Sequence, residues 1–368
     1  MMKKMIAILL CLILLVSAAA CSADGPQVSE PTGPVITEEV KAKLDAVLQE
    51  KNYEGIVYLT FNGEVVYQSV SGTNDMGNPL TIDSPMYICS MSKQFCASAI
   101  LMLRDQGKLS LDDTLEKYFP EYTIGKDITL KNLLTMRSGI CRDVDPMLEE
   151  PEKYENNTAE ENEALFKEYV FGRTLLFTPG TDFAYSNNNY RLLSFIVEMV
   201  SDQNYEDFIR QNIFEPLGMT HSGFSIEVPD HPEWGLTYDN IQATGGVPVL
   251  AQGAGGIVTT AADMDIWMTA LQSGEVICME SFREMTTNYS PGTANRYGYG
   301  LMGTSRDGWG HTGGNLHYTS RTYFSEEYGF NLYMVTNKSP LNNPAITDQA
   351  GTEILSVLYQ FIEMAASN

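Results

Sequence analysis

From Phe95 to Leu103 the chain offers almost no polar face. Phe95, Cys96, Ala97, Ala99, Ile100, Leu101, Met102 and Leu103 are all apolar or small. A helix apolar all round has nothing to give to water, so it belongs in the middle of a domain. Arg104, Asp105 and Gln106 then turn polar, and Gly107 stands where a helix C-cap glycine is expected. The stretch predicts a central helix that begins at or just before Ser90. Its first turn carries Ser90 and Lys93.

The flanks say what this helix is buried in. After Thr37 a helical pattern places Val40, Leu44, Val47 and Leu48 on one side. Two strand-like runs follow, Gly55–Phe61 and Glu64–Val70, joined by Asn62-Gly63, a two-residue hairpin signal. From about Leu80 to Tyr289 the pattern is mainly helical. Thr158-Ala159-Glu160-Glu161 reads as a capping box leading into Leu165, Phe166, Tyr169 and Val170. A helix after Asn189 carries Leu193, Ile196, Val197 and Val200. Thr260-Ala261-Ala262-Asp263 opens another, with Met264, Trp267, Met268 and Leu271 at helical spacing. Strand signals return at Gly308–His311, Thr319–Phe324 and Phe330–Thr336, and a closing helix holds Ile354, Leu355, Leu358, Phe361 and Ile362. Strands at both ends with helices between imply an α/β (α+β) fold. One antiparallel sheet is built from both chain ends, flanked by the terminal helices, and a large helical region is inserted into it. The expected division is a single domain over 36–368, with 36–80 plus 290–368 forming the sheet part and 81–289 the helical part.

The first 35 residues lie outside that plan. Lys3 and Lys4 precede an apolar run from Met5 to Val16, too short to span a bilayer, and Ser17-Ala18-Ala19-Ala20 follows. That is a signal peptide over 1–20. Cys21 after three alanines resembles the lipobox cysteine of bacterial lipoproteins, although Ala18 stands where leucine is usual; plain secretion is the alternative. The stretch 21–35, with Pro26, Pro31 and Pro34, reads as a lipidated cysteine and a flexible tether. The expected location is therefore outside the cytoplasm, lipid-anchored or secreted, with membrane contact through the anchor alone. A net charge of −24 repels phosphate backbones, so nucleic acid is not an expected partner. A monomer is expected. Cys89 and Cys96 are seven apart on one helix, about 10 Å, beyond disulfide reach, and read as buried thiols. A Cys141–Cys278 bridge stays open. No Cys/His ligand spacing occurs, and no metal or cofactor is called for. The acidic segment Asp143–Glu168 reads as a solvated excursion, or as the rim of a site.

Ser90 and Lys93 share a helix face, and a hydroxyl beside an amine at a helix N-terminus is a route to an activated nucleophile. Alone, the pair has an ordinary reading, Ser90 as an N-cap and Lys93 as a solvated first-turn residue. Two more short motifs stand out: Tyr185-Ser186-Asn187, in a turn before a helix, and His311-Thr312-Gly313-Gly314, at the end of a strand. Each also has a structural reading: Tyr185 as a packing residue, Asn187 as an N-cap, His311 as a hydrogen-bonded structural histidine.

In this order and with these flanks, the chain resembles the serine β-lactamase and penicillin-binding-protein family, in its class C-like branch of β-lactamases, DD-peptidases and related esterases. The resemblance runs from about Ile56 to Asn337. It includes Gly107-Lys108-Leu109-Ser110-Leu111-Asp112-Asp113, Leu133–Gly139, Phe177–Leu193, Ile213–Met219 and Gly255–Asp263. It implies a β-lactamase/transpeptidase-like fold and acyl-enzyme chemistry. Ser90 would attack a carbonyl, with Lys93 and Tyr185 sharing the proton; whether Tyr185 as phenolate or Lys93 as neutral amine is the base stays open. Asn187 would bind a substrate amide carbonyl and orient Lys93. The N–H groups of Ser90 and Gly314 would hold the oxyanion, and His311, Thr312 and Gly313 would border the substrate, with His311 and Thr312 facing its carboxylate. His311 replaces the lysine usual in class C β-lactamases and is expected to be partly cationic at neutral pH. Met136-Arg137 replaces the commoner His-Thr of its block and is expected to pack near the site.

The implied substrates are D-Ala-D-Ala-type peptides, β-lactams, or related amides and esters. The competing functions are a catalytically inactive penicillin-binding-like cell-wall protein and a carboxylesterase of the same fold. No Gly-x-Ser-x-Gly and no His-Glu-x-x-His is present, which excludes two other hydrolase layouts.

Overall fold

Asn62 and Gly63 both adopt left-handed backbone, with φ of 49° and 78°. That geometry turns strand β1 (Ile56–Phe61) directly back into β2 (Glu64–Val70), with Phe61 opposite Glu64. The computed structural model describes residues 36–142, 157–242, 252–290, 292, 296–304, 306–338 and 345–366. The expected signal peptide, Cys21, the tether and residues 143–156 of the acidic segment lie outside the described residues.

β1 also pairs with the last strand of the chain. In chain order the others are β3 (Met86–Tyr87), β4 (Gly223–Phe224), β5 (Ile257–Thr259), β6 (Arg296–Tyr297), β7 (Met302–Gly303), β8 (Trp309–Gly310), β9 (Thr312–Gly314), β10 (Thr319–Ser325) and β11 (Phe330–Thr336). The main sheet runs β2-β1-β11-β10-β8-β7-β6, with β9 on β10, and all its pairings are antiparallel. Ile56 faces Val335 and Phe61 faces Phe330, so both chain ends build one sheet as the sequence implied. A second sheet, β3-β5-β4, lies in the helical region and had no sequence signal.

Side chains alternate across the main sheet. Val57, Leu59, Leu332 and Met334 point to one face, where they meet Leu44 and Leu48 of α1 (Glu38–Lys51) and residues such as Ile354 and Leu358 of the closing helix Ile346–Ala366. Ile56, Tyr333 and Val335 point to the other face, into the larger core around α2 (Lys93–Asp105). Ten of the thirteen residues of α2 are buried, from Lys93 to Leu101 without a break and then Leu103, so the helix is central as its composition demanded.

The caps explain where the other long helices start. Thr158 accepts from Glu161 N while Glu161 reaches back to Thr158 N, opening α3 (Ala159–Phe171). Ser186 is the N-cap of α4 (Asn187–Ser201), three residues earlier than the apolar spacing indicated. Thr260 caps α5 (Ala261–Ser273) by accepting from Asp263 N. The last helix is α6 (Ile346–Ala366). Cys89, Cys96, Cys141 and Cys278 form no disulfide among the described residues, so the possible Cys141–Cys278 bridge is not formed. No helix among the described residues is long and apolar enough to cross a membrane.

Candidate active site

The central helix does not begin at Ser90. Cys89–Ser92 forms a 3-10 turn, and α2 takes over at Lys93. The turn is held under strain, because Cys89 sits at φ 50°, a region a residue with a Cβ rarely adopts. Two hydrogen bonds fix it: Ser92 Oγ donates to Cys89 O at 2.8 Å and accepts from Ile257 N of β5 at 3.1 Å. Burial pushes the Cys89 thiol up, leaving it protonated and a poor nucleophile beside the serine.

Helical side chains tilt toward the N-terminus of their helix, which carries Lys93 back over Ser90. Lys93 is fully buried. Its Nζ lies 3.0 Å from Ser90 Oγ, 2.8 Å from Asn187 Oδ1 and 2.6 Å from Ala254 O. The two oxygens of Asn187 and Ala254 can only accept, so they occupy two N–H groups. Nζ also donates to Ser90 Oγ, and it is along this contact that a proton can be exchanged. Ala254 was not legible as a site residue, since its contribution is a main-chain carbonyl. Its turn is fixed by Gly253 at φ 67°, where a Cβ would stand 2.3 Å from Tyr190 O.

Tyr185 comes from the loop leading into α4, and Asn187 is the first residue of that helix. Met136, itself at φ 58°, organises that loop: its carbonyl accepts from Ala184 N at 3.0 Å, and Ser186 N lies 3.4 Å from its sulfur. Ser186 Oγ donates to Cys141 O at 2.6 Å. Arg137 adds hydrogen bonds to the carbonyls of Tyr289 and Gly180. These contacts aim the Tyr185 ring so that its centroid is 5.0 Å from Lys93 Nζ. The Met136-Arg137 pair packs at the site by holding this loop.

The third motif divides. Thr312, Gly313 and Gly314 form β9 and line an open cleft of about 310 Å³ together with Ser90 and Tyr185. Gly313 lies so close to the Ser90 turn that a Cβ would be 2.3 Å from Ile88 O and 2.4 Å from Ser320 Oγ. His311 does not join them at the surface of the cleft. It is 1 % exposed, with Nε2 3.2 Å from Tyr297 OH and Nδ1 2.5 Å from Thr312 O. A carbonyl only accepts, so Nδ1 carries the proton and Nε2 accepts from Tyr297. Burial, and then the charge of Lys93, push the imidazole down to about 3. The expectation of a partly cationic His311 facing a carboxylate therefore fails on desolvation: the ring is neutral and enclosed. Tyr297, invisible as a site residue in the sequence, fixes it.

Comparison with known proteins places the family and the fold. The Beta-lactamase family model matches residues 40–354. PbpX of Bacillus subtilis (strain 168), named among the penicillin-binding proteins, is 32% identical over 290 residues, 75% of this chain and 70% of its own. The octameric penicillin-binding protein homologue from Pyrococcus abyssi matches in structure with a TM-score of 0.68 at 25% identity, covering 86% of this chain and 77% of that one. D-amino acid amidase from Ochrobactrum anthropi SV3 matches with a TM-score of 0.69 at 25% identity, covering 87% and 99%. This chain belongs to the Beta-lactamase family and is a serine hydrolase.

Proposed function

We propose that the protein hydrolyses amide or ester bonds through an acyl-enzyme on Ser90, outside the cytoplasm, on D-Ala-D-Ala-type peptides, β-lactams or related amides and esters. The observation that carries this is the placement of Lys93 Nζ, buried and 3.0 Å from Ser90 Oγ while it also donates to Asn187 Oδ1 and Ala254 O. Ser90 Oγ attacks the carbonyl carbon, and its proton passes to the Lys93–Tyr185 pair and on to the leaving nitrogen or oxygen. The N–H groups of Ser90 and Gly314 receive the negative charge on the carbonyl oxygen, each worth about 3 kcal/mol in the transition state. Asn187 holds Lys93 and borders the acyl group. A water molecule then cleaves the serine ester, returning the proton to Ser90. The likeness to D-amino acid amidase supports amides, and that to PbpX supports peptides of the penicillin-binding class. Secretion through residues 1–20 and lipidation at Cys21 would put the cleft at the outer face of the membrane.

Incubation with a penicillin, a D-Ala-D-Ala peptide, a D-amino acid amide and a short-chain ester, followed by intact mass and product, tests the reading. A stable Ser90 adduct with penicillin marks a penicillin-binding peptidase, fast β-lactam turnover a lactamase, and ester or amide turnover alone an esterase or amidase. No adduct or product with any of the four, and Ser90→Ala indistinguishable from the parent, rejects it in favour of an inactive binding protein.

A further inference from the structure

The cleft beside Ser90 has a wall that the acyl-enzyme chemistry leaves unused. Gly314 of β9 pairs with Thr319 of β10, and Thr319 Oγ1 lies 2.6 Å from Thr347 Oγ1 in the first turn of α6. Asp348 is the next residue, and it lines the same cleft as Ser90 and Tyr185. Among the described residues that line it, Asp348 is the one carboxylate, and none is a lysine, arginine or histidine.

The fold leaves one oxygen of this carboxylate without a hydrogen bond. Arg321 is its nearest cation, with Nη1 3.9 Å from Oδ1. That guanidinium donates instead to the main-chain carbonyl of Asp348 at 2.9 Å and to Thr352 Oγ1 at 3.0 Å. Oδ1 is shut from solvent and accepts no hydrogen bond from the protein, while the side chain as a whole is 48 % exposed. With Oδ1 closed off, the exposed part of this side chain is what a charged donor in the cleft reaches. Burial works against its charge and Arg321 supports it, so an added cation would reinforce the ionised form. At the same wall, an incoming carboxylate meets repulsion from Asp348 and no help from His311, which is neutral and enclosed.

We infer that Asp348 selects substrates that carry a protonated amine and no carboxylate near the scissile bond: aminoacyl amides or esters with a free amino group, in preference to anionic β-lactams or peptides with a C-terminal carboxylate. This rests on the Ser90 acyl-enzyme reading. The probes are p-nitrophenyl esters of D-phenylalanine with a free, an N-acetylated or an N-succinylated amine, with Ser90 labelling by a fluorophosphonate as the check on the nucleophile. The parent protein should favour the free-amine ester over the acetylated one by about tenfold in kcat/KM, the strength of one charge-assisted hydrogen bond. The succinylated ester should be slowest. Asp348→Asn should bring the free-amine and acetylated esters to within about twofold, and Asp348→Arg should move the preference toward the succinylated ester. An unchanged ratio in a labelled Asp348→Asn protein, or a parent that prefers the succinylated ester, overturns the inference and leaves the acyl-enzyme reading standing. If the variants fail to label, the parent's ranking of the three esters decides alone. A parent that neither labels nor turns over any ester rejects the acyl-enzyme reading and this inference with it.

Discussion

Lys93 at the start of α2 donates a 2.6 Å hydrogen bond to the main-chain carbonyl of Ala254, in the turn before β5. A buried amine is thereby tied to a segment remote in sequence. That segment is tied in turn to the helical region, since Gln252 Nε2 donates to both oxygens of Glu206, at 2.9 and 3.0 Å. The position of the proton carrier is thus set by packing rather than by the local motif.

Replacement of Lys93 should separate charge from shape. Lys93→Met removes the exchangeable position facing Ser90, and kcat/KM should fall by about a thousandfold. Lys93→Arg keeps a cation but puts a planar fork where a tetrahedral point donor sits among three oxygens, and it should not rescue. Burst kinetics with an ester report both. A Lys93→Arg enzyme within tenfold of the parent contradicts the geometry described.

Gly313→Ala drives a methyl into Ile88 O and Ser320 Oγ. Both are rigidly held, Ser320 Oγ donating to Ile88 O at 2.7 Å. The overpacking should cost about 1–3 kcal/mol in urea unfolding. Because Ile88 leads straight into the strained Cys89 turn, fluorophosphonate labelling of Ser90 should slow by at least about tenfold. Gly314→Ala, whose Cβ meets nothing closer than 3.8 Å, is the control for stability.

His311 has its folded pKa pushed down to about 3 from an unfolded value near 6.5. The unfolded chain therefore binds the extra proton first as pH drops. The stability that His311 contributes is complete above about pH 6.5 and is lost as pH falls toward 3, with a slope of up to about 1.4 kcal/mol per pH unit. Glu198, pushed up to about 7 mainly by burial, acts in the opposite sense across part of this range. The parent should therefore be compared with His311→Gln by urea melts from pH 4 to 8. Their difference should grow with pH up to about 6.5 and then level off; a flat difference means that His311 is not held neutral. Over pH 6 to 8 no activity limb should come from this imidazole.

Ser90, Lys93, Tyr185 and Asn187 were legible because their chemistry resides in side chains at short, recognisable spacings. The long strands were legible too. The hairpin dipeptide Asn62-Gly63 and the β-branched and aromatic runs fixed β1, β2, β10 and β11 to within a residue or so of their observed ends. Two-residue strands such as β3 and β4 show no period, so the second sheet had no signal. Ala254 acts through its backbone, and Met136 acts through its carbonyl and sulfur from a left-handed position; residue type reveals neither. His311 was misjudged for a different reason. Its charge depends on how fully Tyr297 and the neighbouring strands exclude water, and that is a property of the packed state alone.

The pairing of Ile56 with Val335 has a consequence for the order of assembly. A nascent chain exposes Ser90 and Lys93 long before β9, β10 and β11 have been synthesised. Until those strands dock beside β1, the serine has no opposing wall, and α5, which packs on β1 and β11, lacks part of the sheet that covers it. Such long-range closure is slow and leaves a greasy intermediate. Hydrolytic competence and resistance to aggregation should therefore arrive together, in the same late folding step.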